Sequence, residues 1–201
     1  MALNDPNDLL FLSVPALFYL FLHRLYLIPT FAYLYQHRPH LNSAVRTMGL
    51  LRPTKRDVAL AGIAVIFLTI IGLAIVYLFP HPIPRQAALP TSIGLMFVKG
   101  FIITLRGAGE EFLFRGFVQG IFAKRFSAYT AILAQALLSL LPATLLSFIE
   151  PSYWALLPPQ FIVVLTLGFL RHHTKGIAAP LIVHVILNIF IMAAETTNMN
   201  L

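Results

Sequence analysis

The sequence contains no cysteine and very little charge. Without thiols the chain has neither disulfides nor thiolate metal sites, although this leaves the redox compartment open. Only 10% of its 201 residues are charged and 59% are hydrophobic, whereas about a quarter of the residues in an average soluble domain are charged. No polar region is long enough to fold separately. The composition excludes an ordinary soluble domain and predicts a single all-α domain over residues 1–201, a bundle of transmembrane helices.

Six apolar stretches are long enough to cross a bilayer, which takes about 20 residues of helix. They are residues 9–35, 58–79, 92–122, 128–149, 154–170 and 176–194. The first contains His23, Arg24 and Pro29, so it forms either one kinked span or a span with an interfacial piece. The third is too long for one straight crossing, and we expect one bent or tilted helix rather than a re-entrant pair.

Basic residues alternate with these stretches as the positive-inside rule predicts. Three of the connections hold most of them: Arg38, Arg46, Arg52, Lys55, Arg56, Lys124, Arg125, Arg171 and Lys175. The opposite side would hold only Arg85, so we expect six crossings with both termini on the outer side. The net charge of +7 then indicates contact with an anionic cytoplasmic leaflet rather than with nucleic acid. The short chain and this pattern suit a bacterial plasma membrane.

The third stretch carries an unusual group of charges, Lys99, Arg106, Glu110, Glu111 and Arg115. An ionised side chain in mid-membrane costs at least about 2.5 kcal/mol, so these residues need partners or a wet cavity. On an α-helix Glu111 and Arg115 lie four residues apart and can pair. Glu110 points away from that pair, and we expect it to be left free as a general base. Alternatively, the charges form a network that only fixes helix packing.

Glycines flank this group on both sides. Gly107 and Gly109 would let the backbone break or let another helix approach closely. Gly116 and Gly120 form a GxxxG pattern, which is more simply explained as a packing face.

The last stretch carries His184 and Asn188, one turn apart on a single face of an otherwise apolar helix. Both are expected to point into the bundle. The imidazole can bind a metal or orient a water, and the amide can donate to an oxyanion or hold the imidazole in one tautomer. A lone histidine on an apolar helix is more often a hydrogen-bonded core residue, and this alternative stays open.

Together the two motifs resemble those of the CAAX prenyl protease and bacteriocin-processing family of intramembrane proteases. The resemblance rests on EEFLFRG at residues 110–116 and HVILN at residues 184–188. It covers residues 92–194, and residues 1–91 would form additional N-terminal spans and loops.

The resemblance implies glutamate-dependent, metal-linked cleavage of a membrane-associated peptide or protein. Glu110 would activate the water, with Glu111 and Arg115 as its supporting pair. His184 and Asn188 would bind the metal or stabilise the oxyanion. The metal would be a divalent ion such as zinc, held by Glu110 and His184.

The chain departs from the family between the two motifs, where the family has a Phe-x-x-x-His pattern. No histidine occurs between His81 and His172. The polar residues there are Gln135, Ser139 and Thr144, whose amide and hydroxyl groups are poor zinc ligands beside imidazole. Three hypotheses remain: an intramembrane endopeptidase, a catalytically degenerate relative acting as a membrane scaffold or partner-binding protein, and a transporter that uses the charges of the third stretch.

Overall fold

The computed structural model describes residues 25–78 and 93–196, and the helices there follow the predicted apolar stretches. The α-helices are α1 (Ile28–Gln36), α2 (Leu41–Met48), α3 (Lys55–Leu78), α4 (Ile93–Glu110, continuing through Glu111–Val118 and Gln119–Phe122), α5 (Ala128–Ile149), α6 (Leu157–Thr174) and α7 (Ala178–Thr196). Short 3₁₀ turns occupy Leu25–Leu27, Arg38–His40 and Pro151–Leu156. These residues form no strand, so the all-α prediction is confirmed.

Within residues 25–78 and 93–196, three helices are long and apolar enough to cross a membrane. They lie at Lys55–Ile75, Ala128–Ile149 and Pro151–Thr174, and α7 adds the shorter apolar stretch Ala178–Ala193. The predicted total of six crossings and the sides of the termini stay predictions. Most of the first predicted span, residues 9–35, lies outside the described residues, as does Arg85.

The outer face of α3 shows the pattern expected of a helix that faces lipid. Its large side chains Ile63, Ile66 and Ile70 are exposed, whereas the small Ala61 and Ala64 are buried against α6 and α7. Lipid chains are as apolar as isoleucine, so exposing large apolar groups costs nothing there. Small residues at the interface let the helix backbones come close.

Helix α4 is one continuous helix over the third stretch, as predicted, but its middle is not α-helical. Glu111–Val118 is a π-helix, in which the backbone bonds run from residue i to i+5. The turn is wider than an α turn, so adjacent side chains diverge by a smaller angle. The sequence reasoning placed these residues on an α-helix and did not predict this π segment. Single π turns inside α-helices occur frequently at functional sites.

Helix α2 lies in the basic connection where no helix is predicted. Ala44 and Met48 are buried one turn apart, and Gly49 ends the helix with a left-handed φ of +69°. Apolar residues at helical spacing followed by glycine are a recognised sign of a helix and its C-terminus. The signal was therefore present in the sequence.

The C-terminal end of α2 packs directly on the GxxxG face of α4. A Cβ atom at Gly120 would clash with the carbonyl oxygen of Thr47, and one at Gly116 would lie 3.3 Å from the carbonyl oxygen of Met48. The prediction of a packing face is confirmed. Its partner, however, is the helix that the sequence reasoning missed.

Two further contacts attach α2 to the end of α6. Arg171 donates to the carbonyl oxygen of Thr47 at 3.1 Å, and the backbone N–H of Ile177 donates to the carbonyl of Gly49 at 2.9 Å. Arg171, which the charge pattern places in a basic loop, lies in α6 and is buried. It donates to one of the last carbonyls of α2, which have no partner within the helix.

Replacing Gly120 by alanine is expected to lower the free energy of unfolding by about 1–3 kcal/mol, the usual effect of overpacking a tight contact. The obstructing atom is a backbone oxygen, which a side-chain rotation cannot move away. Gly72→Ala is the control, because no described atom lies within 4 Å of a Cβ there. Thermal unfolding in detergent measures both variants. Equal unfolding temperatures for the two would contradict the close α2–α4 contact.

Candidate active site

Helices α4 and α7 bring Glu110, Glu111 and His184 into one cluster. His184 Nδ1 lies 2.7 Å from Glu111 Oε1, and His184 Nε2 lies 3.7 Å from Glu110 Oε2. One imidazole ring therefore faces both carboxylates, each through a different nitrogen. The convergence of the two predicted motifs is confirmed, while the catalytic role of their residues stays a prediction.

Glu111 and Arg115 form the predicted ion pair. Arg115 Nη1 lies 3.1 Å from Glu111 Oε1, and the two side chains are 1% and 0% exposed. A carboxylate held by a guanidinium is a hydrogen-bond acceptor only, so Nδ1 of His184 carries the proton that it donates to Glu111. In the neutral imidazole this leaves the lone pair of Nε2 directed towards Glu110. Glu111 thus sets both the orientation and the tautomer of His184.

Glu110 is not free, and the prediction on this point is wrong. Arg106 Nε donates to Glu110 Oε1 at 2.8 Å, from one α turn upstream. Arg106 and Glu110 have the same spacing of four residues as Glu111 and Arg115, so this pair was also predictable from the sequence. The two oxygens of Glu110 consequently differ, since Oε1 is held by Arg106 and Oε2 faces His184. The Glu110 side chain is 20% exposed and Arg106 is 49% exposed, which places this pair at the accessible side of the cluster.

Gly107 lies where α4 meets α7. A Cβ atom there would lie 3.4 Å from both Asn188 Nδ2 and His184 Cδ2. Helix α7 therefore lies beside Gly107, at a distance that would leave an added Cβ in ordinary van der Waals contact. It also places the Asn188 amide beside α4, on the same side of α7 as the imidazole.

Helix α5, where the family has its additional histidine, contributes Gln135 to the support of the cluster. Gln135 is fully buried and donates to the carbonyl oxygen of Val164 at 3.0 Å, and Arg115 Nη2 reaches the same oxygen at 3.4 Å. Ser139 donates to Ala136 of its own helix. Of these two polar residues, Gln135 is the one joined to the ion pair through a shared carbonyl.

Gln119 is a supporting residue that the sequence reasoning missed. Its Nε2 donates to the carbonyl oxygen of Gly168 at 2.8 Å, one turn along α6 from Val164. Its position four residues after Arg115 was the available signal, because polar residues at that spacing share a helix face. Through these two side chains, the π segment and the turn after it are hydrogen-bonded to the backbone of α6.

The side chains around His184 do not fit a zinc site. A catalytic zinc ion has three protein ligands and an open position. Glu110 Oε2 and His184 Nε2 supply two donors, Glu111 Oε1 is already engaged by Arg115 and His184, and Glu111 Oε2 is buried without a hydrogen-bond partner. Within residues 25–78 and 93–196, no group of three His, Cys, Asp or Glu side chains is arranged to hold a metal ion. The divalent metal implied by the resemblance stays an untested prediction.

Comparison with known protein families gives one match that includes the whole cluster. The family described as type II CAAX prenyl endopeptidase Rce1-like matches residues 85–190, more than half of the chain. Among curated proteins and solved structures, nothing matches the chain. Membership in this family and the three long apolar helices agree on an integral membrane protein.

Proposed function

Because the chain belongs to the type II CAAX prenyl endopeptidase family, Rce1-like, we propose that it is an intramembrane endopeptidase in which Glu110 activates water. The observation that carries this proposal is the position of His184 between the two carboxylates. A buried ion pair orients the ring from one side, and the more accessible Glu110 lies on the other. A general base needs such an oriented partner and access to water.

The distance between Glu110 and His184 allows one water molecule to hydrogen-bond to both. An oxygen about 2.8 Å from both Glu110 Oε2 and His184 Nε2, an ordinary hydrogen-bond distance, closes a triangle on the 3.7 Å separation of those atoms. Glu110 then accepts one proton of this water, and Nε2 orients the molecule. Arg106 acts as a positioning residue, because holding Oε1 keeps Oε2 turned towards the imidazole.

Hydrolysis then proceeds in two steps. The water oxygen bonds to the carbonyl carbon of the scissile peptide while its proton passes to Glu110, and the carbonyl oxygen becomes an oxyanion. The amide N–H of Asn188 donates to that oxyanion, since preorganised donors of this kind stabilise the developing charge. Glu110 next returns the proton to the amide nitrogen, the oxyanion re-forms the carbonyl as the C–N bond breaks, and a carboxylic acid and an amine are released. Glu111 and Arg115 act through His184 as positioning residues.

The proposed substrate class rests on the family description, CAAX prenyl endopeptidase. We propose a membrane-associated peptide with a lipid-modified C-terminus as the substrate. We propose a multi-pass protein of a bacterial plasma membrane, with its basic loops on the cytoplasmic side. A lipid anchor would hold the substrate at the bilayer, where α4 and α7 form the cluster.

Cleavage of a farnesylated CAAX peptide by the full chain in liposomes tests this function. With the reaction run in water enriched in ¹⁸O, the new C-terminal carboxylate is expected to carry one ¹⁸O atom, which mass spectrometry detects. The same peptide without the farnesyl group should be cleaved more slowly, because it lacks the anchor. Chelators should leave the rate unchanged, since the cluster supplies too few metal donors.

Two results would contradict parts of this proposal. Loss of activity in chelator, restored by added zinc, would establish the metal-linked mechanism and overturn water activation by Glu110 and His184 alone. No cleavage of either peptide by folded protein would favour the second candidate, a degenerate relative that serves as a membrane scaffold or binds a partner. The observation that favours this candidate is the absence of any histidine between His81 and His172 in the sequence.

A further inference from the structure

The π segment of α4 is contacted by a residue far away in the sequence. Thr30 of α1 donates its hydroxyl hydrogen to the carbonyl oxygen of Phe112 at 2.8 Å. Thr30 is fully buried, so no solvent competes for this bond. Residue 30 also lies outside residues 85–190, which match the family.

A π segment needs such a donor more than an α-helix does. The change from i→i+4 to i→i+5 bonding disturbs the regular pairing of backbone carbonyls. In an apolar bundle without water, every backbone polar group has to be satisfied within the protein. The hydroxyl of Thr30 supplies a donor to a carbonyl inside Glu111–Val118, and therefore favours the π form over the α form.

Aromatic contacts hold the same element against the π segment along its length. Phe31 stacks on Phe112, and Tyr33 meets Phe117 edge-on, with ring centroids 6.2 and 6.3 Å apart. In the turn before α1, Tyr26 makes a similar edge contact with Phe114. Such ring pairs add stability beyond the area that they bury. Helix α1 and its preceding turn thus contact the π segment near its start, middle and end.

The π form determines where Glu110 points. Returning the segment to an α-helix would change the register between its two ends by one residue, which corresponds to about 100° of rotation and 1.5 Å of rise. Gly120 packs on α2 downstream of the segment, and Gly107 lies beside α7 upstream of it. A rotation of one end relative to the other would therefore either turn Glu110 away from His184 or separate Gly120 from α2.

We propose that Thr30 is a positioning residue, whose hydrogen bond to Phe112 holds α4 in the π form that directs Glu110 towards His184. The effect of Thr30 on catalysis rests on the proposed function, whereas its effect on helix register is independent of that function. If Thr30 has this role, helix α1 contributes to the site although it lies outside the family match.

Thr30→Val and Thr30→Ser test the role by kinetics. Valine keeps the shape and removes the donor, and we expect kcat to fall about a hundredfold, the cost of misplacing a catalytic group by about 1 Å, with KM changed less than twofold. Serine keeps the donor and should restore kcat to within threefold of the wild type. Thr166→Val is the matched control, because Thr166 donates to a carbonyl of its own helix and its loss should leave kcat unchanged.

A distance measurement tests the register without any activity. The chain lacks cysteine, so nitroxides can be attached at Phe101→Cys and Phe126→Cys, two exposed positions on either side of the π segment. The distance distribution from pulsed electron paramagnetic resonance should shift in Thr30→Val and in Thr30→Ala, and should match the wild type in Thr30→Ser. The alanine variant replaces valine if the latter does not fold.

Three results would overturn the proposal. They are an unchanged distance distribution in the variants without the hydroxyl, a serine variant that behaves like valine, and a shifted distribution with unchanged kcat. If the wild-type protein cleaves no peptide, the proposed function fails, and the distance measurement still decides whether Thr30 sets the register.

Discussion

The Glu110→Gln variant is expected to lose about a thousandfold in kcat, the middle of the range for removal of a general base. Glutamine has the shape of glutamate, and its amide oxygen can still accept the hydrogen bond of Arg106. It cannot take a proton from water at neutral pH. The loss should therefore appear in kcat, with the farnesylated peptide still bound and the protein still folded.

Glu150→Gln is the matched control for this experiment. It makes the same change of charge and shape at an exposed residue after α5, where the carboxylate accepts a hydrogen bond from Ser152. Its kcat should equal that of the wild type. Cleavage by Glu110→Gln at the wild-type rate would remove Glu110 as the base, and equal losses in both variants would show a general effect of charge.

The Arg115→Met variant is expected to lower the free energy of unfolding by about 3–5 kcal/mol, the usual cost of breaking a buried ion pair by removing one partner. Methionine fills much of the space but leaves the carboxylate of Glu111 without its counter-charge. Both side chains are almost completely buried, so water cannot replace the guanidinium. The variant also removes the hydrogen bond to Val164.

Two further variants separate this cost from a simple loss of packing. In Glu111→Gln/Arg115→Met no charge remains, so part of the stability should return, although the hydrogen bond to His184 is altered. In Arg106→Met the pair that is broken is more exposed, with side chains that are 49% and 20% exposed, and accessible pairs contribute about 1 kcal/mol or less. Equilibrium unfolding in mixed detergent micelles measures all three. Equal losses in Arg115→Met and Arg106→Met would contradict the importance of burial.

Much of the fold is predictable because it depends on local sequence. A bilayer requires helices wherever apolar residues run uninterrupted, and α5 begins and ends at the residues predicted, Ala128 and Ile149. The Glu111–Arg115 pair was predictable for the same reason, since a spacing of four residues brings two side chains together on an α turn and on a π turn. Helix α2 was missed because a short helix in a basic connection carries a weaker pattern than a span.

Apolar runs, charge and spacing act within a few residues, so the helical class, the long continuous α4 and the candidate site residues could be predicted from local sequence. The way those residues face one another depends on contacts between distant parts of the chain. The contact between Glu111 and His184 joins positions 73 residues apart, and the bond from Thr30 to the π segment joins positions 82 residues apart. The π form and the directions of the two carboxylates depend on these distant partners, so no local pattern contains them.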